Sequence, residues 1–127
     1  MNQEALKQFI PLLIERLKPV DPVKVILFGS YASGTPDEDS DIDLLVVTNS
    51  DHFPQSYTEK SAIYLEVSQQ LRDLRGQVSI DLMVHTRPMH QKFIELNSMF
   101  SKEITQNGIV LYEAKRRDGF SLAALSP

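Results

Sequence analysis

Asp41 and Asp43 stand one residue apart where an apolar run begins, and Asp81 lies inside another such run. Two carboxylates at this spacing on a strand point the same way, because side chains alternate with a period of two. Asp81 sits in the segment SIDLMV, among Ile80, Leu82 and Val84. A carboxylate in that setting is costly unless it is paired or bound to a cation. If the two strands are neighbours, all three carboxylates converge. Hard divalent ions such as Mg²⁺ prefer oxygen donors and keep substrate phosphates in their shell. A pair of such ions about 4 Å apart can hold a triphosphate and activate an attacking hydroxyl. In that arrangement Asp41 and Asp43 hold both ions, and Asp81 holds the ion nearest the acceptor and can take its proton.

Twelve residues before Asp41, the run VKVILF ends at Gly29-Ser30. A glycine corner lets a phosphate approach, and Ser30 offers a hydroxyl and a backbone N–H. Each feature alone is ordinary: a Gly-Ser after a strand is usually a turn, and an Asp-x-Asp is usually solvated surface. Their combination after apolar strands points to a metal-bound nucleoside triphosphate.

The elements that must position these residues follow from periodicity. Leu6, Phe9, Ile10, Leu13 and Leu17 repeat at helical spacing over residues 3–18, with a kink or late start expected at Pro11. Val23–Phe28 is a strand, Ser30–Ser33 a helical turn closed by Gly34, and Ile42–Thr48 a second strand, apolar on both faces as in a covered centre. A helix is expected over Ser56–Arg75 and a third strand over Val78–Val84. A helix from Pro88 to about Phe100 follows, with Phe93, Ile94, Leu96 and Phe100 inward, then a short strand at Ile109–Tyr112. The pattern predicts an α/β (α+β) domain with a small mixed sheet and helices packed on it.

The 127-residue chain carries a formal net charge of −4 and no cysteine, which disfavours binding long nucleic acid and excludes disulfides. No stretch reaches membrane-spanning length, and the N-terminus MNQEALKQFIPLL lacks a basic leader, so a cytoplasmic protein is expected. One domain over residues 1–112 is expected. Residues 113–127, with Phe120, Leu122 and Leu125, would form a tail that binds a partner.

The stretch GSYASGTPDEDSDIDLLVV, with SIDLMV after it, resembles the motif set of the polymerase-beta-like nucleotidyltransferases, in particular their minimal single-domain (MNT) group. The resemblance covers roughly residues 20–112. It implies the fold of that superfamily and a Mg²⁺-dependent transfer of AMP from ATP with release of pyrophosphate. By motif position, Gly29 and Ser30 correspond to the triphosphate-binding turn, and Asp41, Asp43 and Asp81 to the catalytic metal-binding triad. It further implies a HEPN-domain toxin as partner, a tyrosine of that toxin as acceptor, an antitoxin role, and a hetero-oligomer. Many members carry Arg or Lys where this chain has Ser33; Arg87, after the third strand, is a candidate substitute.

Two other readings stay open at the level of sequence. The domain could neutralise a partner by covering it, without catalysis, or it could modify a small molecule of the antibiotic kind. His52 and His90 read as surface residues, and His85 as a partly exposed strand-end histidine on the face of Asp81.

Overall fold

The computed structural model describes residues 2–115; Phe120, Leu122 and Leu125 lie outside the described residues. Helix α1 spans Gln3–Leu17 and buries Leu6, Phe9, Leu13 and Leu17, as their spacing requires. Asn2 caps it, its Oδ1 accepting from the Ala5 N–H at 2.7 Å. The helix starts at Gln3 and not late at Pro11. Pro11 is on the exposed side, where water can serve the carbonyl one turn back that its missing N–H leaves free.

Four strands follow: β1 (Pro22–Phe28), β2 (Ile42–Thr48), β3 (Ile80–His85) and β4 (Ile109–Glu113). They form one mixed sheet in the order β3-β2-β1-β4. β1 is antiparallel to β2 and β4, and β2 is parallel to β3. The short helix α2 (Ser30–Ser33) turns the chain after β1.

Alternation gives the sheet two different faces. Val25, Leu27, Ile42, Leu44, Val46, Ile80, Leu82 and Val84 pack with α1 and with Val67, Leu71 and Leu74. Those last residues belong to α3 (Tyr57–Gln70), α4 (Arg72–Arg75) and the joint between them. The one helix expected over Ser56–Arg75 is broken at Leu71, which leaves helical geometry (φ −102°, ψ 6°) with its side chain buried. On the opposite face Ile26, Phe28, Leu45 and Val47 pack with Ile104, Met83 and Phe93.

That opposite face is roofed by α5 (Arg87–Leu96) and α6 (Met99–Asn107). A single helix through Phe100 was expected here, and α6 was not foreseen. Asn97 ends α5 in the left-handed conformation (φ 49°), and Ser98 restarts the chain as a helix by accepting the Ser101 N–H at 3.1 Å. Ile94 and Leu96 are exposed where inward packing was expected, and Phe100 is half exposed while meeting Phe28 and Phe93 by ring edges. Among the described residues no helix is long and apolar enough to cross a membrane.

Candidate active site

The parallel register of β2 and β3 sets Asp43 directly opposite Asp81. Cross-strand partners lie on one face, so both carboxylates project from the side that α5 and α6 roof further along. Asp41 lies just before β2 begins, at the same end of the sheet. Asp41 and Asp81 both act on Asp43. Asp43 is partly buried, and its carboxyl is pushed up to about 6, first by burial, then by the charges of Asp81 and Asp41 and by a hydrogen bond with Asp81. No basic side chain is among the influences on Asp43.

Gly29 caps α2 with φ 73° and ψ −154°, a backbone conformation that only glycine holds at little cost. A Cβ placed there would lie 1.9 Å from Asp43 Oδ2. The glycine therefore serves the carboxylate as well as any phosphate, a second reason for it that sequence spacing did not show. Strand pairing supplies the contact, since Phe28 is opposite Asp43. The following turn is tied by Ser33, whose hydroxyl bonds the Gly29 carbonyl at 3.2 Å and Thr35 Oγ1 at 3.1 Å. Ser33 thus braces the corner where a cation was expected.

Arg87 does not replace that cation. It opens α5 beyond the far end of β3 from Asp81 and is ion-paired to Asp51. His85 and His90 also depart from expectation. They form a pair with Nδ1 atoms 3.1 Å apart, and His85 is buried. Burial and the neighbouring positive charges lower both to about 4, so both are neutral near pH 7. Phe93 lies 5.0 Å from the His85 ring, and Phe100 joins Phe93 to Phe28 by edge contacts. His52 is exposed, as expected, and bonds Glu59 at 2.5 Å.

Two site residues gave no sequence signal. Ser79 Oγ donates to Asp41 Oδ1 at 2.5 Å, and the Ser79 carbonyl accepts the Ile42 N–H at 3.0 Å. Arg75 donates to the Ile80 carbonyl at 3.3 Å while also bonding Ser68 and Tyr64. Both depend on where α4 delivers the chain into β3, which no local pattern encodes.

Carboxylate oxygens alone make a hard donor set, and their mutual repulsion without a basic partner suits a divalent cation. Asp41, Asp43 and Asp81 are the residues that fit it. Among the described residues no three such side chains already surround one point at ligating distance. Asp41 is engaged by Ser79.

Residues 12–117 match the model of a family described as polymerase beta, nucleotidyltransferase. Over 113 residues the chain is 33% identical to a relative from Methanocaldococcus jannaschii named "Putative protein adenylyltransferase", covering 88% of this chain and 100% of the relative. Two solved structures share the fold at lower identity. One is a crystal structure of a toxin–antitoxin with AMP-PNP: TM-score 0.54, 20% identity, 86% of this chain and 77% of that chain. The other is of "a putative nucleotidyltransferase from Sulfolobus solfataricus": TM-score 0.54, 19% identity, 96% of each chain.

Proposed function

The chain belongs to the polymerase-beta nucleotidyltransferase family and has its fold, and on that premise we propose that it transfers AMP from ATP to a protein hydroxyl. The observation that carries this reading is the register match of Asp43 with Asp81, beside Gly29 and with no basic side chain acting on Asp43. Strand order suggests the layout of the reaction. Gly29 and Ser30 follow β1, Asp43 is on β2, and Asp81 is on the edge strand β3. The leaving pyrophosphate then lies at the Gly29-Ser30 corner, the α-phosphorus at Asp43, and the acceptor enters over the open β3 edge.

Magnesium held by Asp41, Asp43 and Asp81 would neutralise the triphosphate and polarise its α-phosphorus. The remaining work falls to the chain. Asp81, exposed on the edge strand, accepts the proton of the attacking hydroxyl. The new bond joins the hydroxyl oxygen to the α-phosphorus, the bond from that phosphorus to the β-bridging oxygen breaks, and pyrophosphate leaves. Gly29 keeps the corner open so that the Asp43 carboxylate and the phosphates share it.

A protein acceptor fits a site whose Asp81 is exposed on the edge strand β3. The name of the Methanocaldococcus relative supports the same reading. Following the motif resemblance, the acceptor is a tyrosine of a HEPN-type toxin, and the chain acts as its antitoxin within a hetero-oligomer. The test is the mass of the co-purified partner after incubation with ATP and Mg²⁺. A gain of one or more AMP units is expected from the native chain and none from Asp43→Asn. Neutralisation of the partner that survives Asp41→Asn and Asp43→Asn, with no mass gain, would overturn transfer in favour of masking.

A further inference from the structure

We infer that Ser79 is the positioning residue of the site: it holds Asp41 in the orientation that a divalent cation requires. The inference rests on the metal-carboxylate reading above. Asp41 stands outside the β-ladder, one residue before β2, so no strand pairing fixes its side chain. It is also exposed, and an exposed carboxylate without a partner samples several rotamers. Ser79 removes that freedom from two directions. Its carbonyl accepts the Ile42 N–H at 3.0 Å, which locks the backbone beside Asp41. Its hydroxyl donates to Asp41 Oδ1 at 2.5 Å, a charge-assisted bond that leaves Oδ2 for another ligand.

The clamp is itself anchored. Val78 N–H and Gln77 N–H both donate to the Leu74 carbonyl, which closes the turn leading to Ser79. On the other side Arg75 holds the Ile80 carbonyl and bonds Ser68 Oγ at 2.7 Å on α3. Ser79 therefore stands on a short bridge fixed at both ends to the helical layer. Outer partners that orient ligating carboxylates are as much part of a metal site as the ligands.

Mn²⁺ binding to the purified full-length chain, followed by electron paramagnetic resonance, tests this without reference to turnover. Ser79→Ala is expected to weaken Mn²⁺ binding by about 10-fold or more. Ser79→Thr, which keeps the hydroxyl, restores most of it. In an Asp41→Ala background, Ser79→Ala has no further effect, because the carboxylate that its hydroxyl holds is gone. Mn²⁺ binding that is unchanged or tighter in Ser79→Ala overturns the inference, as does an equal loss in the Asp41→Ala background. A native chain that binds no Mn²⁺ overturns the metal reading of the site along with it; a native chain that binds while Ser79→Ala binds equally sinks only the role of Ser79.

Discussion

The same face of the sheet carries opposite electrostatic situations at its two ends. At the start of β2 and β3, Asp43 and Asp81 are in register and repel, and burial raises Asp43 toward its neutral form. Four residues further along β3, His85 pairs with His90 under α5, and burial holds both in their neutral form. The histidine end is satisfied from within, by a ring-to-ring hydrogen bond and by Phe93 and Phe100. The carboxylate end is left for something from outside. Where the helical roof is complete, the protein buries polar groups as a neutral network; where it stops short, like charge accumulates at a cost to stability, as at sites built for a ligand.

Removing the reactive carboxylates tests the comparison most strongly. Asp81→Asn is expected to lower AMP transfer by roughly 10²–10⁴-fold while leaving the fold intact. The measurement is transfer of label from the α-phosphate of ATP to the co-purified partner. Loss of folding instead of activity would mean that Asp81 serves the fold and not the transfer.

Protonation should pull the two ends in opposite directions. The histidines carry folded values of about 4 against an ordinary 6.5, so the unfolded chain binds more protons between those values. Their contribution is present above about 6.5 and is lost as pH falls toward 4. Asp43 carries about 6 against 3.8, so there the folded chain binds more protons. Its contribution is present below about 3.8 and is lost as pH rises through 6. The windows overlap, and the slopes partly cancel in the native chain. Replacing His85 and His90 with Phe and Leu should remove a stability loss of about 2–4 kcal/mol on acidification, after allowance for their partial solvent access. Urea melts between pH 4 and 7 read this directly, and an unaltered slope would count against the neutral pair.

Gly29→Ala is expected to cost about 1–3 kcal/mol, because its backbone conformation excludes a side chain and a Cβ would displace the Asp43 carboxylate. The smallest effect has the opposite sign. Asp43→Asn should stabilise the metal-free chain at pH 8 by about 1–2 kcal/mol, since solvent screens part of the shift, and by nothing near pH 4. A destabilised Asp43→Asn at pH 8 would mean the carboxylate end is already compensated and that the contrast between the ends is false.

Much of this molecule was legible in its residues because the information was local. Period-two alternation put Asp43 and Asp81 on strands, helical spacing chose the buried residues of α1, and the Gly29-Ser30 corner announced its turn. The motif resemblance also pointed to the family, as the family match bears out. What local pattern could not decide was register and roofing. Only strand pairing brings residue 43 opposite residue 81, 38 positions away, and only the delivery of the chain from α4 sets Ser79 against Asp41. Expectations for His85, His90, Arg87 and the α5–α6 break missed for the same reason. Whether a polar side chain is buried, paired or free depends on which distant element lies over it, a choice made by packing among many residues and not by the neighbours along the chain.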